Sequence, residues 1–183
     1  MIFDGEEYEV LRELYRTKGS LNQLLMADST YDNIEDRRKF YIVEKDGVKY
    51  FVKEYTDRNY GGNLGFPENI NYEYETTKRL YGEITRRNGT IGVPKTFAIE
   101  DNRILFEYLD GYRRPQVHEL NNIHRLVYEF LRKKDIDNYD LCPNNIMVKH
   151  ELYIDNGVHQ LQVRLIDFEY SADRNTRKEF GLE

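Results

Sequence analysis

An Asp-Gly step between two alternating apolar runs leaves a chain little choice but a tight β-hairpin, because the central residues of a type I′ turn both need positive φ. Here Asp46-Gly47 stands between Lys39-Phe-Tyr-Ile-Val-Glu-Lys45 and Val48-Lys-Tyr-Phe-Val-Lys53. Strand periodicity puts Val48, Tyr50 and Val52 on one face of the second run and Lys49, Phe51 and Lys53 on the other. Lys53 is therefore expected to end an alternating strand beside an aromatic. Two more hairpins follow from the same logic. Asp101-Asn102 separates Val93–Ile99 from Arg103–Leu109, and Asp155-Asn-Gly157 separates Ile146–Tyr153 from Val158–Ile166.

Helical spacing fills the intervals. Val10, Leu11, Leu14 and Tyr15 predict a helix over Glu6–Thr17, stopped by Gly19 and contained in residues 1–20. Leu21–Met26 is short and apolar, and Ala27–Arg38 is acidic and polar. After the connector Tyr60-Gly-Gly-Asn-Leu-Gly-Phe-Pro67, Asn69 reads as the N-cap of a helix to about Arg87, closed by Asn88-Gly89. On it Glu73, Thr77, Leu80 and Ile84 form one stripe, and Glu75, Arg79, Gly82 and Arg86 form a polar one. Glu73 can thus face a sheet and Glu75 cannot. A linker with Arg113, Arg114 and Pro115 leads to a helix whose buried face is Leu120, Ile123, Val127 and Phe130.

Composition excludes several classes. The 183 residues suffice for one core or two small lobes. With 27 basic against 33 acidic residues the net charge is −6, which argues against nucleic acid as a partner. No run is long and apolar enough for a membrane span, and the N-terminus lacks a basic and apolar leader pattern. The single cysteine, Cys142, cannot form an internal disulfide, so a reducing, cytoplasmic setting is expected. His118, His124, His150 and His159 are dispersed without zinc-ligand spacing.

The chemistry concentrates late in the chain. In Ile136-Asp-Asn-Tyr-Asp-Leu-Cys-Pro-Asn-Asn-Ile-Met-Val148, Asp140 lies five residues before Asn145, and Leu165-Ile-Asp-Phe-Glu169 brings Asp167 to the end of an apolar strand. Two carboxylates and an amide at the ends of neighbouring strands can hold Mg²⁺ on a nucleotide and aim a base at a hydroxyl. Each residue also has a plainer reading: Lys53 as a solvated strand lysine, Asp140 and Asn145 as turn residues.

The order of a hairpin with a lysine, a helix with an inward glutamate, a hairpin, a helix, an Asp/Asn loop, a hairpin and a last Asp resembles the protein-kinase-like superfamily over about Leu21–Tyr170. Asp140-Leu-Cys-Pro-Asn-Asn145 is most similar to small-molecule kinases and the bacterial YrbL-like kinase group. The resemblance implies an α+β, two-lobed fold: an antiparallel N-lobe sheet over 21–111 and a truncated helical C-lobe over 112–183. It implies ATP and Mg²⁺ as cofactors and transfer of the γ-phosphate to a hydroxyl. Lys53 would grip the phosphates, Glu73 would orient it, and the backbone of Phe106-Glu-Tyr-Leu109, at Glu107 and Leu109, would meet adenine. Asp140 would be the catalytic aspartate, accepting the acceptor's proton or orienting its hydroxyl, and Asn145 and Asp167 the metal ligands.

Departures from the family pattern shape the alternatives. Asn138 and Tyr139 stand where the family has histidine and arginine or glycine, and Glu169 replaces the glycine after Asp-Phe. The phosphate-covering loop aligns with either Thr17–Leu24 or Ala27–Arg38. The short stretch from Asp167 to Glu183 implies no activation segment and no distal helical subdomain. A nucleotide-binding pseudokinase acting as a regulatory module, or nucleotidyl transfer in the same site, are the alternatives. The acceptor is open, and self-association or a protein partner is expected to cover the truncated lobe.

Overall fold

The computed structural model describes residues 1–14, 38–55, 70–86, 89–138, 145–153, 158–166, 168 and 172–173. It is α+β and strand-rich, with two α-helices among the described residues. The chain divides into two compact units, Met1–Tyr74 with Lys95–Leu109, and Glu75–Pro94 with Asp110–Glu183.

The first unit is built on a five-stranded antiparallel sheet. Its strands are β3 (Glu9–Leu14), β4 (Arg38–Lys45), β5 (Val48–Tyr55), β8 (Thr96–Glu100) and β9 (Arg103–Glu107), in the spatial order β3-β4-β5-β9-β8. The β4–β5 hairpin turns on Asp46 and Gly47, at φ 53° and 75°, the left-handed pair that the Asp-Gly step predicts. One sheet face carries Tyr41, Val43, Val52, Ala98 and Leu105, covered by Phe3 from a small ribbon of β1 (Ile2–Phe3) and β2 (Glu6–Glu7). The other face carries Phe51, Tyr55, Ile104 and Phe106, packed with Ile70 and Tyr74 of helix α1 (Ile70–Leu80).

The N-terminus corrects the expected helix within residues 1–20. Residues 2–3, 6–7 and 9–14 are strands, and β3 pairs with β4 from Glu9↔Glu44 to Leu14↔Phe40. A register shift between Val10 and Arg12 explains the misreading, since the bulge breaks the strict alternation that would have marked a strand. Pairing with β4 then decides an intrinsically ambiguous segment.

The second unit also departs from expectation: its described residues form a four-stranded sheet and α2 (Leu120–Lys133), rather than a helical lobe. Helix α1 ends at Leu80, not near Arg87. Gly82 sits at φ 116°, and β6 (Ile84–Arg86) and β7 (Gly89–Gly92) form a hairpin. Gly89 thus begins a strand instead of closing a helix, and β-branched Ile84 and Thr85 favour the strand that pairs with it. Residues 75–94 accordingly belong to the second unit, although the sequence had put them in the first.

β11 (Ile146–Tyr153) and β12 (Val158–Leu165) form the expected antiparallel hairpin, and β12 pairs in parallel with β7, giving the order β11-β12-β7-β6. Helix α2 buries Ile123, Leu126, Val127, Phe130 and Leu131 in one cluster with Leu80, Ile84, Ile91, Ile146, Val148, Val163, Leu165 and Phe168. A separate ribbon joins β10 (Ile136–Asn138) to β13 (Ala172–Asp173).

Candidate functional site

Strand β5 runs on to Tyr55, so Lys53 is inside the strand rather than at its end. Its partners are Phe40 on β4 and Ile104 on β9, which seals it on both sides. Lys53 is 5% exposed and Glu73, on the first turn of α1, is 2% exposed. The Lys53 Nζ donates to Glu73 Oε1 at 3.1 Å and to Oε2 at 2.9 Å. The helical stripe put Glu73 inward and Glu75 outward, and both are found so.

A third member joins the pair. The Tyr55 hydroxyl donates to Glu73 Oε2, and the Lys53 ammonium lies 5.3 Å from the centre of the Tyr55 ring. Tyr55 was not singled out in the sequence; the available signal was its place two residues after Lys53, which puts both side chains on one strand face. Removing a lysine and a glutamate from water costs several kcal/mol per ion before their attraction and hydrogen bonds repay it, roughly to break-even. The pair's net contribution to stability is therefore small, although removing either partner alone would leave a buried charge unpaired.

Of the expected adenine-contact residues, Glu107 ends β9. Its amide donates to the Lys95 carbonyl at 2.8 Å, and its carboxylate accepts the Lys95 amide at 3.0 Å. Leu109 is half-buried and is the last residue of the first unit. The two stretches that align with a phosphate-covering loop, Thr17–Leu24 and Ala27–Arg38, lie wholly and largely outside the described residues, respectively.

In the second unit Asn145 is buried immediately before β11. The Ile166 amide donates to the Asn145 carbonyl at 2.9 Å, continuing the ladder past the Ile146↔Leu165 pair. Phe168 is fully buried in the core cluster. The residues on either side of Asp167 are therefore anchored, one by a backbone bond to Asn145 and one by its side chain. Asp140, Cys142 and Asp167 lie outside the described residues. The chain passes from β10 to β11 through the Asp140 stretch and from β12 to β13 through the Asp167 stretch, so the two stretches connect the same two strand pairs.

A second buried carboxylate supports this region. Glu119, 6% exposed, accepts two bonds from Arg113, at 2.8 and 2.6 Å, and one from the Gln116 amide at 2.6 Å, and His150 Nε2 lies 2.6 Å from Oε1. The Arg113 guanidinium, aided by the Gln116 amide and His150, holds this carboxyl well below the usual range against the opposing effect of burial. Arg113 also pairs through its backbone with Val148 of β11, at 2.8 and 2.6 Å. The network straps the segment entering α2 onto β11, the strand that follows Asn145. From the sequence these residues read only as linker, helix start and a stray histidine.

Among the described residues no group of three or more His, Cys, Asp or Glu could hold a metal, and no helix is long and apolar enough to cross a membrane. No protein-family model matches the chain, and no curated protein matches it significantly.

Proposed function

We propose that this protein is a phosphotransferase of protein-kinase-like, two-lobed architecture that moves the γ-phosphate of Mg²⁺-bound ATP to a hydroxyl acceptor. The observation that carries the reading is the nearly dry Lys53–Glu73 ion pair, joining the third strand of the five-stranded sheet to the helix that follows it. Such a pair is a required part of kinase sites, where the lysine meets the phosphates and the helix glutamate holds it. Support also comes from the bond between Ile166 and Asn145, which links the two motifs through their flanking residues.

In this reading Lys53 neutralises phosphate charge and Glu73 keeps its ammonium in register. Backbone groups near Glu107 and Leu109 meet the base. Asn145 and Asp167 offer an amide and a carboxylate oxygen, a hard-oxygen donor set of the kind Mg²⁺ prefers. Asp140 accepts the acceptor's proton as its oxygen bonds to the γ-phosphorus. The bridging P–O bond to ADP breaks in the same displacement, and catalysis is mostly positioning and electrostatics.

The test compares wild type with Asp140→Ala, Asp167→Ala and Lys53→Met by ADP formation and by melting with and without MgATP. A ligand that binds only the folded state must raise the melting temperature. The reading expects that rise in wild type, its loss in Lys53→Met, and loss of turnover in both aspartate variants with the fold intact. Unchanged turnover in the two aspartate variants removes it. A melting shift without turnover selects the nucleotide-binding regulatory module, and an AMP adduct on the acceptor in mass spectrometry selects nucleotidyl transfer.

A further inference from the structure

We propose that Tyr55 is a positioning residue of this pair: its hydroxyl holds the Glu73 carboxylate so that Lys53 can turn part of its ammonium to a phosphate oxygen without the glutamate losing its place. The phosphate half of this inference rests on the kinase-like reading above; the Tyr55–Glu73–Lys53 coupling does not.

Glu73 is 2% exposed, so water cannot replace a donor that Lys53 withdraws from its carboxylate. An ammonium has three N–H groups, and this one bonds both Glu73 oxygens, at 3.1 and 2.9 Å. Engaging a phosphate weakens one of those bonds, and a buried carboxylate losing a donor bears the desolvation penalty. The Tyr55 hydroxyl, already donating to Oε2, remains when Lys53 turns. Being neutral, it stabilises the carboxylate without adding a second cation. Its ring faces the ammonium at 5.3 Å, so one side chain touches both ions of the pair.

Tyr55 is itself held firmly, as a positioning residue must be. Its amide donates to the Asn102 carbonyl at 2.8 Å, and the Asn102 side-chain amide donates back to the Tyr55 carbonyl. Asn102 follows Asp101, which turns the β8–β9 hairpin at φ 53°. The ring is buried with Ile104 and Phe106. The last residue of β5 is thus clasped at backbone and ring, and only its hydroxyl is directed to chemistry.

Tyr55→Phe keeps ring, burial and clasp and deletes the hydroxyl alone. In the full-length protein the expected result is faster water exchange of the Lys53 ammonium protons in ¹⁵N-edited NMR. The MgATP KM should rise about tenfold, the factor carried by one hydrogen bond to a charged group, with kcat within about twofold. In a Glu73→Gln background Tyr55→Phe should add nothing, because the hydroxyl acts through that carboxylate. Unchanged ammonium exchange in Tyr55→Phe overturns the proposal, as does an equal effect with and without Glu73. Wild type that turns over MgATP while Tyr55→Phe leaves exchange and KM intact sinks Tyr55 and spares the kinase-like reading. Altered exchange in a protein that ignores MgATP sinks that reading and spares the coupling. Should Tyr55→Phe fail to fold, 3-fluorotyrosine at position 55, a more acidic donor, must slow the exchange; no change there overturns the proposal.

Discussion

Lys53 and Glu73 meet at 2.9 Å across a separation of 20 residues, on a strand and a helix that the same apolar face brings together. Both ions are almost out of water, so removing one alone strands the other. Glu73→Leu and Lys53→Met, made singly, are each expected to lower stability by about 3–5 kcal/mol, whereas the double variant recovers most of that loss. Urea unfolding midpoints at neutral pH check this. Single and double variants of equal stability would mean the two charges are not coupled.

Glu119 gives the chain an acid-sensitive strap. Its folded pKa lies below the unfolded value, chiefly through Arg113, so its contribution is complete above the unfolded carboxylate value of about 4.3 and is lost as pH falls toward the folded one. Glu119→Gln should cost about 1.5–3 kcal/mol at pH 7 and flatten the loss of stability on acidification. Denaturant midpoints between pH 7 and pH 3 report both effects; parallel curves for the two proteins would exclude the strap.

Gly89 begins β7, where the parallel pairing with β12 opens at Leu161. A Cβ at this position would overlap the Leu161 carbonyl oxygen and press on Leu126. The backbone there belongs to a ladder and cannot yield cheaply. Gly89→Ala is expected to lower stability by about 1–3 kcal/mol, the cost of overpacking. Thermal unfolding decides it, and a melting temperature equal to wild type would show that the two strands separate freely.

Phe168 follows Asp167 and is fully buried in the second unit's core. Phe168→Ala should cost about 3–5 kcal/mol through lost burial and the cavity left behind. The loss is expected in unfolding midpoints, and a change below about 1 kcal/mol would mean the side chain is not held as described.

Local chemistry carried much of the fold. The hairpins at Asp46-Gly47 and Asp101-Asn102 were legible because Asp, Asn and Gly tolerate positive φ, found at Asp46, Gly47 and Asp101. The buried face of α2 followed from spacing, since Ile123, Val127 and Phe130 recur at a helical period. The helix end expected at Asn88-Gly89 misled for the same local reason: an Asn-Gly step suits a helix end as well as a hairpin, and only the pairing of Ile84 with Ile91 shows that residues 84–86 and 89–92 are strands. At β3 a bulge erased the alternation that marks a strand.

The candidate site divides along the same line. That Glu73 points inward and Lys53 lies beside an aromatic could be read from periodicity, which depends on nothing beyond a few neighbouring residues. That they touch, that Tyr55 joins them, that Glu119 gathers Arg113 and His150, and that Gly89 lies against Leu161 depended on elements far apart in the chain. Such contacts reflect how apolar faces pack and how strands choose partners, energies summed over the whole core that no short window of residues contains.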